Sequence, residues 1–507
     1  MIIKYPADFI SAGYFIYYPP KNIILENIIF QSIIFVDIIL QEAILLKFVD
    51  RISELNTLEQ EYQRKESSMV IIYGRRRVGK TELIRHFIKN KPAIYFLATE
   101  ESEMMNRDAF QEQVADFLNN DLLRAAKIDR WEPIFQQLAM SISNERAVIV
   151  IDEFQYIGKG SPSFLSVFQK IWDTILKDSN VMLILCGSLV SMMKSQTLNR
   201  DSPLYGRRTA QIRLRPIKFA YYHEFFNDTL SGEELIKRYS VTGGVPKYVE
   251  MFQKGDNLSE AIQTSVLNPS SYLFDEPNFL LQKEVTDIGS YFSILRVIAA
   301  GNHKSSKIAT ILQQKQTNLP RYLNILIDLD LIEREVPVTE SNPDKSKKGL
   351  YQIKDNFLRF WFQFIYPNRS YIEMGHPDVV MNRLNKNFVD NQVSFVYEQV
   401  CQDKLWELSA TGKLPGILER IGRWWDNSHE IDVVGISEED DLLVLGECKF
   451  WTGSVGVNVL TSLEQKSVFV DWHKNTRTVI YVLFSINGFS DELLAISKAR
   501  NDVILFR

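Results

Sequence analysis

Cysteine is scarce in this chain: Cys186, Cys401 and Cys448 are the only three in 507 residues, far apart and each in or beside an apolar run. Such spacing suggests neither a disulfide framework nor a zinc cluster, and it fits a reducing cytoplasm. The six histidines are scattered, with no HExxH or HxxxH pairing, which argues against a dedicated zinc site. Long apolar runs are missing too. The stretch "NIILENIIFQSIIFVDIILQEAILLKF" is interrupted by Glu26, Asp37 and Glu42 before it reaches the roughly 20 residues that span a bilayer, so no stable membrane span is expected. The basic start, apolar run and small-residue cleavage site of a signal peptide are lacking. So is a long basic stripe: 58 Lys plus Arg against 63 Asp plus Glu leave a formal charge of -5, which excludes broad affinity for polyanions but not a local basic surface. No internal repeat of useful period is evident.

What is there is a large globular chain. With 45% apolar residues, 31 Phe and 21 Tyr, it has ample core material and is too long for one ordinary core, so several domains are expected. Residues 1–47 form an atypical apolar extension. A helix over residues 48–66, introduced by Asp50, opens an α/β region in which strand candidates in "KPAIYFLAT", Ala147–Ile151 and Val181–Leu185 alternate with helical stretches such as Asp108–Leu118 and Phe164–Leu176. Alternation of this kind predicts a parallel sheet buried on both faces, over residues 48–225. The pattern then turns helical over 226–283, punctuated by Gly243, Gly244 and Pro246. Two short amphipathic helices, an apolar stop and a basic hairpin over 284–355 describe a winged helix-turn-helix. The aromatic "FLRFWFQFIYP" lies early in a last domain over 356–507.

The stretch "MVIIYGRRRVGKTELIRHF" fulfils GxxxxGK[ST] through Gly74, Gly79, Lys80 and Thr81, with an apolar strand before it and a helical pattern after it. Glycine permits the tight path that aims successive N–H groups at phosphate, and the helix start adds positive potential. This predicts a nucleotide site built from Gly74, Arg75, Arg76, Arg77, Val78, Gly79, Lys80, Thr81 and Glu82. Lys80 would reach the terminal phosphates and Thr81 would ligate Mg2+. Arg75, Arg76 and Arg77 either contact phosphate or face solvent. In "RAVIVIDEF" a strand ends in Asp152, placed to hold the Mg2+ shell, and Glu153, placed to orient or deprotonate the attacking water. Ser188, in "LILCGSLVSMM", is either a γ-phosphate sensor or a helix cap. Arg207 and Arg208 are candidate transition-state cations, acting within the chain or across a subunit boundary of a homo-oligomer.

The combination "FVDRISEL", "IIYGRRRVGKTELI", "VIVIDEFQYI", "LILCGSLVSMM", "SPLYGRRT" and "TGGVPKYV" resembles the archaeal and bacterial AAA-type ATPases of the STAND-related lineage. The resemblance runs from about Phe48 to Arg507. It implies a P-loop NTPase core with a parallel sheet, a helical lid, a winged helix, ATP and Mg2+ as cofactors, and often a carboxy-terminal α/β domain like that of restriction endonucleases.

The last domain carries "SHEIDVVGI" and "DLLVLGECKF". Asp432 sits on one predicted strand, while Glu447 and Lys449, two apart, share a face of the next. A hairpin of the two would gather two carboxylates and an ammonium, a set suited to metal-assisted phosphodiester cleavage, with Asp432 and Glu447 on the metal and Lys449 on the attacking water. The arrangement resembles the D…ExK core of restriction-endonuclease-like domains. Glu398, in "FVYEQV", matches a helix acid that such domains place before the first core strand, and Gln465 is an accessory candidate. The polar face of a sheet with an ordinary ion pair would explain the same residues. In the winged helix, Arg321 and Asn324 lie on the predicted recognition helix and Lys345, Lys347 and Lys348 in the hairpin, while Asp328 and Asp330 would be repelled by a nucleic-acid backbone. The expectation is thus an ATPase acting on or regulated by DNA, with Mg2+-dependent cleavage by its last domain. The alternative is a nucleotide switch whose tail binds DNA or a protein partner without cutting.

Overall fold

The apolar strands of the first half form a five-stranded parallel sheet. They are β1 (Ser68–Tyr73), β2 (Ala93–Leu97), β3 (Ala147–Asp152), β4 (Val181–Gly187) and β5 (Ala210–Arg213), in the order β2-β3-β4-β1-β5. Successive side chains feed opposite faces: Met69, Ile71, Ile149, Ile151, Leu183 and Leu185 pack into one core, and Val70, Ile72, Val148, Val150, Met182 and Ile184 into the other. Both faces are therefore buried under helices, as near-continuous apolar runs require, and each fully buried Val, Leu or Ile contributes about 1.5–3 kcal/mol. The computed structural model describes residues 47–507 except 143, 144, 228, 254 and 256. The reading of the apolar extension at residues 1–46 lies outside the described residues. Among those described, no helix is long and apolar enough to cross a membrane.

Local detail departs from the sequence reading in three places. The first helix runs over Ile52–Tyr62 and is not capped by Asp50: Asp50 and Arg51 both take left-handed backbone, φ 60° and 74°, and no side chain caps the helix. The helix read from Asp108 starts at Glu103, because the Ser102 side chain accepts the Met105 N–H. The fifth strand, β5, carries no clear signal in the sequence, since its run "AQIR" is short and half polar.

Phe48–Arg507 forms one unit. Helices Gly232–Thr242 and Pro246–Phe252 follow the sheet, joined by left-handed Gly243 and Gly244. A Cβ on Gly244 would lie 2.0 Å from the Ile217 carbonyl oxygen, so this turn requires glycine. Helices Ile288–Ala299, Ser305–Ile311 and Leu319–Asp328 lead into an antiparallel pair, β6 (Ile332–Glu335) and β7 (Leu350–Ile353), which is a winged helix-turn-helix. The last module is a helix (Ser394–Ala410), the strands β8 (Arg420–Trp425), β9 (Glu430–Ser437) and β10 (Leu442–Lys449), a helix (Val457–Ser467), and then β11 (Thr478–Ser485) and β12 (Val503–Phe506). β8, β9 and β10 form an antiparallel meander, and β11 and β12 join it in parallel, in the order β12-β11-β10-β9-β8.

Candidate functional site

The first site lies at the carboxyl ends of β1, β3 and β4, where open parallel sheets bind ligands. The loop leaving β1 passes so close to the chain after β5 that a Cβ on Gly74 would stand 2.3 Å from the Leu214 carbonyl oxygen. Arg77 and Gly79 take φ 72° and 93°, turning the backbone into the helix Lys80–Ile88. Lys80 is buried at the helix start and its Nζ donates to the carbonyls of Gly74 (2.8 Å) and Arg75 (3.1 Å). Thr81 Oγ1 donates to Asp152 Oδ2 over 3.1 Å, so the hydroxyl and the carboxylate meet as a shared Mg2+ shell requires. This loop path, with one lysine folded into it and a hydroxyl–carboxylate pair beside it, fits a magnesium nucleotide. Val78 is buried in the sheet's lower core and Glu82 is exposed in the first helical turn.

The acids are held mostly by uncharged donors. Asp152 accepts the Glu153 N–H (2.8 Å) on one oxygen and the Tyr95 hydroxyl on the other. Glu153 sits at φ 52°, a left-handed conformation costly for a residue with a Cβ, and its Oε2 accepts the Ser188 hydroxyl (2.7 Å), the Ser188 N–H (3.2 Å) and the Gln155 amide. Ser188 is therefore turned to Glu153 and does not cap the following helix, whose start carries no side-chain cap.

Other residues differ from expectation. Arg75, Arg76 and Arg77 do not face solvent. Buried Arg75 forms an ion pair with Asp355, Arg76 donates to the Tyr156 hydroxyl over 3.0 Å, and Arg77 pairs with buried Glu276 and lies 4.1 Å over the Tyr272 ring. Arg207 is spent on a bidentate pair with Asp173 (2.9 and 2.7 Å) and on the Pro203 carbonyl, which removes it as a free cation within its own chain. Arg208 has no side-chain partner among the described residues.

Sequence reasoning missed four groups here. Arg51 donates to the carbonyls of Val78 (2.9 Å) and Arg215 (2.7 Å), bracing the phosphate loop from "FVDRISEL". Tyr95, Glu276 and Glu284 were missed as well. Glu284 closes over the loop from the helix Glu276–Glu284 and accepts the Val190 N–H (3.2 Å); burial pushes its carboxyl up to about 7, against the pull of Val190, Ser191 and Lys80. Arg51 lies in a run that carries the resemblance and the other three in none, but the contacts of all four join residues distant in sequence, so only the fold reveals their roles.

The second site lies where β9 and β10 part, just past the Val433–Gly446 pair. Asp432 Oδ2 accepts the Cys448 N–H over 2.9 Å. Lys449 Nζ lies 2.6 Å from Glu447 Oε2 and 3.6 Å from Asp432 Oδ2, so two carboxylates converge on one cation. The other oxygen of Glu447 pairs with Lys466, one residue past the Gln465 that sequence suggested. Burial and the neighbouring Glu447 raise Asp432 above the usual carboxylate range. Burial also opposes the charge on Glu447, but Lys449 and Lys466 outweigh it and hold this group low. Two acids around one cation fit a single divalent ion in donor chemistry. Glu398 does not complete a three-acid ligand set: its contact is Arg423, 3.6 Å away, and among the described residues no three Asp, Glu, His or Cys side chains come together to hold a metal. Burial, with Asp432 nearby, pushes Glu398 up to about 8.

Comparison with known proteins matches two parts of the chain. Residues 48–252 match a family model described as an ATPase domain predominantly from Archaea, and residues 361–466 match one described as archaeal and bacterial proteins of unknown function. The uncharacterized protein MJECL04 of Methanocaldococcus jannaschii is 35% identical over 463 residues, 90% of this chain and 98% of that protein. The chain belongs to this archaeal ATPase family. Among solved structures, the Walker-type ATPase PABY2304 of Pyrococcus abyssi aligns at 18% identity and a TM-score of 0.45, over 62% of this chain and 95% of that one. The ORC2 protein of Aeropyrum pernix aligns at 14% and 0.42, over 64% and 95%. As an ATPase of this family the chain binds nucleotide, and its loop at Gly74–Thr81 lies within the matched domain.

The winged helix of this ATPase packs directly on the core. Lys194 pairs with Asp328 (2.6 Å) and Arg213 with Asp330 (2.7 Å), while Arg213 also donates to the Asp328 carbonyl. Arg321, Asn324, Lys345, Lys347 and Lys348 are exposed, and Lys348 pairs with Glu340. The loop between β6 and β7 lies against the last sheet: the Val338 N–H donates to Arg423 O (3.0 Å), and Arg420 donates to the carbonyls of Val338 and Glu340.

Proposed function

We propose that the chain is a nucleotide-controlled ATPase that acts on DNA and cleaves it with the Asp432–Glu447–Lys449 site. In the motor, Lys80 would engage the terminal phosphates, Thr81 and Asp152 would hold Mg2+, and Glu153, aimed by Ser188, would orient or deprotonate the attacking water. In the last domain Asp432 and Glu447 would hold a second Mg2+ and Lys449 would turn from Glu447 to the attacking water. A bound ion there would supply charge neutralisation at the scissile phosphate and a more acidic water. The observation that carries the reading is the convergence of buried Glu447 and half-buried Asp432 on Lys449 at the end of a helix-braced meander.

Two further contacts support action on DNA. The acids that would repel a backbone, Asp328 and Asp330, are neutralised by Lys194 and Arg213 of the core, leaving Arg321 and Asn324 on the open side of their helix. The wing also meets the last domain through charge: Glu335 of β6 lies 3.4 Å from Arg423 of β8, which lies 3.6 Å from Glu398. A second reading, a nucleotide switch with a non-cutting tail, is favoured by the full neutralisation of Glu447 by Lys449 and Lys466.

The test is cleavage of linear, nicked and single-stranded DNA with Mg2+ or Mn2+, with and without ATP, comparing wild type, Lys80→Ala and Glu447→Ala while released phosphate is recorded in the same tubes. Cutting that disappears in Glu447→Ala and changes in Lys80→Ala is the expected result. Phosphate release with no cutting under any condition selects the switch.

A further inference from the structure

The three arginines inside the phosphate loop are each tied to a different part of the chain. Arg76 stays within the core, on Tyr156. Arg77 is paired with Glu276, whose other oxygen accepts the Tyr248 hydroxyl over 2.5 Å, joining the loop to the helical region. Arg75 reaches farthest. Its side chain is 7% exposed and that of its partner Asp355 is 4% exposed, so this ion pair is buried.

Asp355 stands where the winged helix ends and the last domain begins. Its Oδ1 accepts the Leu358 N–H (2.7 Å), capping the helix Asn356–Phe360, while Oδ2 pairs with Arg75. The next residue locks this junction down: Asn356 Nδ2 donates to Tyr239 O (3.3 Å), and Gln392 donates to both Asn356 O (3.0 Å) and Ser240 O (2.6 Å). One carboxylate thus holds the second residue of the phosphate loop and the first turn of the last domain. Lys80 donates to the carbonyl of that same Arg75, so a displacement of Arg75 moves an acceptor of the phosphate-binding lysine. The charged and hydroxyl groups around Arg75 are Asp355, Tyr248 and Asp330, with Arg77 alongside, and Asp330 is itself paired with Arg213 and Lys354. Removing the Asp355 charge would leave a buried guanidinium without its principal partner, which such a site tolerates poorly.

We propose that Asp355 is a positioning residue of the ATPase reaction: through Arg75 it sets the phosphate loop, and it makes nucleotide binding and the docking of the last domain one linked equilibrium. The inference rests on the phosphate-loop reading and is independent of whether the last domain cuts DNA. By linkage, what tightens the loop around nucleotide tightens the junction by the same factor.

Asparagine caps helices as well as aspartate does, so Asp355→Asn separates the ion pair from the cap. In the full chain, ATP binding and steady-state hydrolysis are measured for wild type, Lys80→Ala, Asp355→Asn, Asp355→Ala, Arg75→Met and the double variant Arg75→Met/Asp355→Asn. The expected result is a rise in the Kd and KM for ATP of about tenfold in Asp355→Asn, with kcat changed less than about threefold. Arg75→Met should show a comparable rise, and adding Asp355→Asn to it should change little, the signature of a coupled pair. ATP should raise the thermal midpoint of the last domain in wild type and not in Asp355→Asn. An unchanged KM in Asp355→Asn, or full additivity in the double variant, overturns the proposal and leaves Asp355 a helix cap. If Asp355→Asn does not fold, Arg75→Met with wild-type KM has the same force. A wild-type chain that binds no ATP, like Lys80→Ala, would instead overturn the phosphate-loop reading on which this one rests.

Discussion

The two candidate sites use similar residues in opposite ways. Each has two acids and a lysine, which lie at or past the carboxyl ends of β1 and β3 in the nucleotide site and at the start of β9 and the end of β10 in the last domain. In the nucleotide site the acids rest on Thr81, Tyr95, Ser188 and Gln155, and Lys80 rests on backbone carbonyls, so no charge in the set is neutralised by another. In the last domain Glu447 is held between two ammonium groups and Asp432 faces one of them. A site whose charges are held by neutral donors is ready for a charged ligand. A site that is already neutralised must exchange an internal cation for an external one, and that exchange can be controlled.

The comparison breaks most easily at Glu153. Glu153→Gln keeps the hydrogen-bonding shape but not the base, and phosphate release should fall by about 10²-fold or more while ATP affinity is retained, as single-turnover assays and ATP titration would reveal. Unchanged turnover would mean that the acid only shapes the loop. At the second site Glu447→Gln should destabilise the last domain by about 3 kcal/mol, because Lys449 and Lys466 lose a buried partner; chemical denaturation measures this, and a cost below about 1 kcal/mol would mean the pairs are solvated. Ser188→Ala releases one contact to Glu153 and should lower kcat about tenfold with little change in KM or in the melting temperature.

The smallest effect concerns Glu284. Its folded-state pKa is raised, so the native chain holds a proton that the unfolded chain gives up. The stability it contributes is complete below the ordinary glutamate value and declines as pH rises from about 4.3 through about 7. Glu284→Gln should flatten that part of the pH–stability curve, and an unaltered slope would assign it to other groups.

Much of this architecture was legible along the chain because it is local. The phosphate loop, the strand ending in Asp152 and Glu153, and the ExK pair at Glu447 and Lys449 each occupy one short run, and period alone puts Glu447 and Lys449 on one face. What escaped depends on distance in sequence. Asp355 lies far from the loop it holds, and nothing in "IKDNF" distinguishes a carboxylate with two tasks from an ordinary helix cap. Arg207 beside Arg208 looks like a free cationic pair until Asp173 is brought to it by the fold. Lys466 was passed over for its neighbour Gln465 because helical phase, set by packing of Leu460 and Leu463, decides which of them faces Glu447. Asp328, at the end of its helix, and Asp330, just past it, look like free charges until the fold brings Lys194 and Arg213 to them.

In the proposed function the nucleotide state governs how the chain meets DNA. The most direct measurement is the affinity of the full chain for a labelled duplex by fluorescence anisotropy, at one fixed salt concentration, with saturating ATP on Glu153→Gln or with ADP on wild type, and with Lys80→Ala as the control that cannot respond. The account predicts a difference of at least about fivefold between the two nucleotides, absent in Lys80→Ala. Equal affinities in all three would contradict it.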